Sequence, residues 1–221
     1  MHKPSLGLLA AFLCLIALPC VSQTEPQWKQ FSEIVGHFSV LLPDYPGNPK
    51  VEAHDSGMRG DYSVHMYTLY SGKGDQTVLY GAGYLDYKTV MAKASPQDFL
   101  DGEVLSILQD SKAKPEGITR IQYRSPEAYP GREVRFTAEK VHIENYAFST
   151  GSVMDALPSA VASALGKTGG SSEPRTVLAR IYLANHRLYV LFCMAQPEAF
   201  DARAARRFLD SFEIYSPFLI P

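Results

Sequence analysis

Apolar residues recur most densely between Arg175 and Phe212. An apolar run over Thr176–Ala184 is followed by Asn185-His186-Arg187 and a second apolar run over Leu188–Ala195. Two such runs around a short polar break predict a long hairpin. Phe200, Ala204, Phe208 and Phe212 then recur at a helical spacing, which predicts a helix lying back on that hairpin. Glu198 and Asp201 precede Arg203, Arg206 and Arg207, an order of charge that suits the helix dipole.

Upstream, the pattern is mostly one of strands. Phe38, Val40 and Leu42 alternate within His37–Leu42, and Pro43, Pro46 and Gly47 read as its stop. Val51–Gly57 is a weaker second strand. Over Tyr62–Tyr70, Val64, Met66 and Tyr70 share one face, while His65, Tyr67 and Leu69 share the other. Ser71-Gly72-Lys73-Gly74-Asp75 is turn chemistry, and Thr77–Tyr87 returns as a partner. Apolar residues on both sides of this hairpin predict burial on both faces.

Ser95-Pro96-Gln97-Asp98 reads as a helix start, with Ser95 as cap and Pro96 in the first turn. Leu100, Val104, Ile107 and Leu108 continue it to about Ser111. Lys112–Gly117 reads as a polar connection, and Ile118–Tyr123 and Arg132–Lys140 as strands joined through Pro126 and a Pro130-Gly131 turn. Val141–Phe148 continues that pattern. Residues 149–174 are rich in Ser, Ala and Gly, with Gly169-Gly170-Ser171-Ser172 as a linker and Pro158–Leu165 as a short helix. So long an insertion in a compact domain is a lid, a mobile segment or an idle hairpin tip.

The first residues change the picture. Lys3, an uncharged apolar stretch over Leu6–Ala17, Pro19 and Cys20-Val21-Ser22 read as a signal peptide over residues 1–22. The stretch is too short for a bilayer core of about 30 Å. Lipidation at Cys20 is the lesser alternative, because Pro19 stands where that processing wants a small residue. After it come a polar leader over 23–27 and a single domain over 28–216. The chain is thus expected to be exported, periplasmic or extracellular, with no transmembrane span after cleavage.

Composition excludes little else. An apolar content of 46% with 20% charged residues is that of a globular domain. Residues 1–22 hold one of the 21 Lys and Arg and none of the 23 acids, leaving 20 bases against 23 acids, a net charge of −3. That balance gives no reason to expect nucleic acid as a partner. Cys193 is the one cysteine outside the signal. It lies in an apolar strand where it behaves as a small hydrophobe.

Motifs for chemistry fail on inspection. Gly81-Ala82-Gly83 lacks the third glycine of a dinucleotide fingerprint, because position 86 is Asp86. Gly166-Lys167-Thr168 lacks a phosphate-loop glycine at position 161, which is Val161. No Gly-x-Ser-x-Gly occurs. His37, His54, His65, His142 and His186 form no metal-binding spacing, and His54-Asp55 is the nearest approach to one. No catalytic residue, cofactor or metal is assigned. The thirteen tyrosines are more suggestive, since Tyr supplies amphipathic contact area. Tyr67, Tyr70, Tyr80 and Tyr84, with Met154 and Leu157 of the insertion, form the candidate binding surface. The structural reading, strand formers covering a sheet, competes with it.

Three phrases carry a resemblance: Phe38-Ser39-Val40-Leu41-Leu42-Pro43, Pro130-Gly131-Arg132-Glu133, and Arg206-Arg207-Phe208-Leu209-Asp210-Ser211-Phe212. With the order of elements, they resemble exported bacterial proteins of uncharacterised function with a fold of the PsbP/Mog1 type. The resemblance covers Trp28–Ile214. It implies an α+β class, an antiparallel β-sheet flanked by helices in an α/β/α sandwich. It also implies accessory or binding work, as in relatives that dock on a photosynthetic membrane complex or on a small GTPase. The first functional expectation is therefore a non-enzymatic module docking on a protein or envelope component. A small-ligand carrier with a tyrosine-lined cleft, and a hydrolase whose site is invisible in sequence, are the alternatives.

Overall fold

The computed structural model describes residues 26–44, 52–59, 62–72, 74–87, 95–111, 113–124, 128–138, 174–184 and 186–215, with the backbone alone for 52–59, 62, 110, 114 and 124. The strands are β1 (Gln27–Glu33), β2 (Phe38–Asp44), β3 (Glu52–Arg59), β4 (Tyr62–Ser71), β5 (Val78–Tyr87), β6 (Lys114–Arg124), β7 (Ala128–Ala138), β8 (Arg175–Ala184), β9 (Arg187–Ala195) and β10 (Glu213–Ile214). Helix α1 spans Pro96–Asp110 and α2 spans Ala202–Asp210. A large sheet runs β3-β4-β5-β9-β8-β7-β6 and a small one β1-β2-β10. All pairings among them are antiparallel.

The period-two pattern puts apolar residues on both faces of the large sheet. Val64, Met66, Leu79, Leu85, Val190 and Phe192 join Leu100, Val104, Ile107 and Leu108 of α1 in one core. Residues of opposite parity, among them Leu69, Tyr80, Tyr84, Tyr189 and Leu191, join Phe38, Val40 and Leu42 of β2 and Ala205, Phe208 and Leu209 of α2 in the other. Burial of the 62–87 hairpin on both faces is therefore as expected. The class is α+β with antiparallel sheets. The arrangement departs from a plain helix-flanked sandwich, because the second face is shared between α2 and a whole second sheet.

Several boundaries also differ from the expectation. β1 carries Trp28 and Phe31 only three residues apart, so no alternation betrayed it. β2 runs on through Pro43, which pairs with Trp28 of β1 and lies beyond the two β2 residues, Ser39 and Phe38, that β10 pairs with. β6 begins at Lys114 across a register shift between Pro115 and Gly117, so most of the expected connection is strand. Pro130 and Gly131 pair with Gln122 and Ile121 inside β7, so they are strand and not the expected turn. Helix α2 starts after Phe200, and its buried face is Ala205, Phe208 and Leu209 instead of the fourfold spacing through Ala204. Gly81 has a packing reason: a Cβ there would come within 2.3 Å of the Phe192 ring. The expected strand 141–148, the short helix 158–165 and the insertion lie outside the described residues, apart from its end at Pro174.

Polar contacts fasten the helices to the large sheet. Ser95 caps α1, accepting a hydrogen bond from the Asp98 amide at 3.1 Å. Arg132 on β7 is 1% exposed. It donates to Asp101 Oδ1 at 2.7 Å, to the Gly131 carbonyl at 2.9 Å and to the Gln97 carbonyl at 3.3 Å. The hydrogen bond from Arg132 holds the Asp101 carboxyl below its usual range, against partial desolvation. On the other face, Arg180 reaches Glu133 and Asp210, each at 2.7 Å, and Arg206 reaches Glu133 at 3.2 Å, tying α2 to β7 and β8.

Candidate functional site

The turn joining β1 to β2, Ile34–His37, stands at one end of the layered core. Ile34 and Val35 are 65% and 66% exposed, although the turn that carries them is firmly held. The Val35 carbonyl accepts from Arg187 Nη1 at 3.0 Å, and the Gly36 carbonyl accepts from Tyr189 Oη at 2.9 Å. Glu33 supplies its carbonyl to Tyr215 Oη at 2.6 Å and its carboxylate to the Val35 amide at 3.0 Å. The Tyr215 amide donates to the His37 carbonyl at 3.0 Å. His37 itself sits at φ 54, in the left-handed region that non-glycine residues rarely occupy.

Beneath the turn, Arg187 forks onto Asp86 at 2.5 and 2.8 Å and lies 4.3 Å above the Tyr84 ring. Tyr84 also stacks on His65 at 4.7 Å. Desolvation disfavours the Arg187 charge, but its hydrogen bonds to Asp86 and the attraction of that carboxylate, with a smaller part from Tyr189, together outweigh it and hold the guanidinium above its ordinary pKa. Burial raises the Tyr189 hydroxyl pKa and so keeps it a donor to the turn. Gly36 is required by close approach, since a Cβ there would lie 2.6 Å from Tyr84 Cε1 and 2.9 Å from Phe38 Cδ1. The arrangement does one thing physically: it presents two apolar side chains to solvent on a rigid, charge-braced base.

The expected tyrosine surface is split. Tyr67, Tyr80 and Tyr84 face the small sheet and α2, whereas Tyr70 faces the α1 side. Tyr80 and Tyr84 are buried, which corrects their place on an open surface, because β2 and α2 cover them. Tyr67 and Tyr70 are half-buried. Met154 and Leu157 lie outside the described residues. His54 stands on β3 opposite Met66. Cys193 is buried, and burial pushes its thiol up to about 12, as befits a core hydrophobe.

One carboxyl outside this corner is perturbed. Glu103 of α1 accepts from Tyr87 Oη at 3.4 Å, and its Oε2 is buried without a hydrogen-bond partner. Burial pushes its pKa up to about 7, against a small lowering by Tyr87. Among the described residues, no group of three or more His, Cys, Asp and Glu is placed to hold a metal. No helix among them is long and apolar enough to cross a membrane. The turn had one overlooked sequence signal, two apolar residues directly before Gly36. Glu103 had another, a carboxylate on the helix face of Leu100 and Ile107.

The class that emerges is an α+β domain of two antiparallel sheets with helices on both faces. Its fold is PsbP-like. The solution structure of cyanobacterial PsbP from Synechocystis superposes with a TM-score of 0.50 over 89% of this chain and 97% of that one, at 10% identity. A protein of unknown function from Pseudomonas aeruginosa matches with a TM-score of 0.38, 8% identity and coverage of 78% and 85%, too loosely to add to the fold. No protein-family model and no curated protein matches the chain.

Proposed function

We propose that this chain is an exported accessory module that docks on a protein or envelope component through the β1–β2 turn. One observation carries the reading. Ile34 and Val35 are two-thirds exposed on a turn fixed by hydrogen bonds from Arg187, Tyr189 and Tyr215. Exposed apolar side chains on a floppy loop lose much of their binding energy to ordering; on a fixed base they do not. The PsbP-like fold agrees with accessory or binding work, as fold analogy only.

Export rests on the signal-like residues 1–22, followed by the leader 23–27, which meets β1 at Gln27. A single domain over 28–216 and a flexible insertion at 149–174 complete the proposed organisation. Tyr67, with Met154 and Leu157, stays a secondary part of the proposed surface; the buried Tyr80 and Tyr84 do not.

A photocrosslinking amino acid placed at position 35 of the full chain, in cells, tests the docking. It is expected to trap one discrete partner band, while the same group at Leu105, 56% exposed on α1, traps none. Equal labelling from both positions would reject the turn as the contact.

A further inference from the structure

Among the described residues four strands end the two sheets, and three of them are guarded. β3 is interrupted by a register shift between Asp55 and Met58, and β6 by one between Pro115 and Gly117. β10 has two residues, and the Tyr123 hydroxyl takes the Ile214 amide at 2.8 Å. Bulges, proline and short length are the usual devices against unwanted strand pairing. β1 shows no bulge, proline or short length, and its charged side chains are engaged within the chain, Lys29 with Asp44 and Glu33 with the Val35 amide. Its seven residues pair with β2 without a shift.

The register shows what β1 offers. The Leu41 amide of β2 donates to Ser211 Oγ at 2.8 Å, on the β10 side. Odd-numbered residues of β2 therefore address β10, and even-numbered ones address β1. Gln30 lies opposite Leu41, Trp28 opposite Pro43 and Ser32 opposite Ser39. The N–H and C=O groups of Trp28, Gln30 and Ser32 thus point outward, away from β2.

The layers limit what can fill that edge. Phe31 of β1 lies 5.1 Å from Tyr67 of β4 in the large sheet. The large sheet continues past β4 to β3, whereas the small sheet stops at β1. Among the described residues this leaves a ledge one strand wide, about 4.8 Å, beside β1. Two copies joined edge to edge at β1 would bring each copy's β3 into the space of the other's β4. A single peptide strand fits. Lys29, the cation of this edge, is already paired with Asp44, so no charge is asked of the newcomer. The half-buried Tyr67 below asks for apolar side chains at alternate positions.

We propose that an extended, alternately apolar peptide segment of a partner protein adds to β1 as a fourth strand of the small sheet. This deepens the docking reading by naming the form of the partner, and it rests on the chain being a binding module. The test uses the full chain and a phage-displayed library of random decapeptides. Selected peptides are expected to alternate apolar with polar residues and to slow hydrogen exchange at the amides of Trp28, Gln30 and Ser32. Gln30→Pro removes an outward N–H and leaves the β1–β2 ladder intact, so affinity falls at least tenfold while the circular dichroism spectrum is kept. Leu105→Ser, exposed on α1, leaves peptide affinity unchanged, and the turn variant Ile34→Ser with Val35→Ser separates the edge from the turn.

Selection of no peptide, or of peptides that protect other amides, overturns the proposal. So does protection of these amides by self-association without peptide. Peptides lost with the turn variant but retained by Gln30→Pro overturn the edge alone and leave docking through the turn standing. The exchange measurement on the unaltered chain decides the matter even where Gln30→Pro does not fold.

Discussion

Glu103 makes the stability of this domain depend on pH in a direction opposite to that of most carboxylates. Its carboxyl lies under α1 beside Tyr87, with Oε2 buried and unpartnered. Burial raises its pKa from 4.5 to about 7. A carboxyl whose pKa is higher in the folded state favours folding in its protonated form. The contribution is complete below pH 4.5 and is lost as pH rises through about 7. A gap of about 2.5 pH units at about 1.4 kcal/mol per unit gives at most about 3.5 kcal/mol. Glu103→Gln has nearly the same shape and no titration. Urea unfolding of both proteins from pH 4.5 to 8.5 isolates the effect, because every other titrating group is common to the pair. The variant is expected to gain on the wild type by about 2–3 kcal/mol between pH 5 and 8. A difference that stays constant within about 0.5 kcal/mol over that range would refute the argument, placing the Glu103 carboxyl in water.

Further outcomes follow from packing. Gly36→Ala forces a Cβ into the Tyr84 and Phe38 rings and is expected to cost about 1–3 kcal/mol in urea melts, as overpacking does. Phe208→Ala empties a fully buried position of α2, with an expected loss of about 3–5 kcal/mol. Arg132→Met strands the Gln97 and Gly131 carbonyls in a buried setting, and a loss of about 2–3 kcal/mol is expected. Cys193, with its thiol pushed up to about 12, is expected to resist a thiol-specific dye at pH 8 until the chain is unfolded in urea.

The layered core was legible because both of its faces write a period of two into β4, β5, β8 and β9. The Ser95 cap was legible because it needs only local residues, and the structure repeats it at hydrogen-bond distance. The polar fastenings were not. Arg132 in a strand reads as a solvent-facing charge, and only Asp101, brought back 31 positions away by α1, allows its burial. Asp86 and Arg187 are 101 positions apart. Hydropathy also assigns Ile34 and Val35 to an interior, since it cannot register a turn that lifts two apolar residues out of the core.

Tyrosine content pointed to a surface and the fold resolves it into two jobs. Tyr80 and Tyr84 are buried where β2 and α2 cross the large sheet, so their rings supply core area. Tyr189 and Tyr215 instead send hydroxyls to the backbone of the β1–β2 turn, which an apolar residue of similar size cannot do. If the turn is the docking element, the hydroxyls matter more to partner recognition than the rings do. Tyr189→Phe keeps the buried ring and frees the Gly36 carbonyl. It is expected to lower the yield of crosslinks from position 35 several-fold, while changing stability by only about 1 kcal/mol, the worth of one hydrogen bond. An unchanged crosslinking yield would mean that the turn holds its shape without Tyr189, and the case for a preorganised contact would lose its main support.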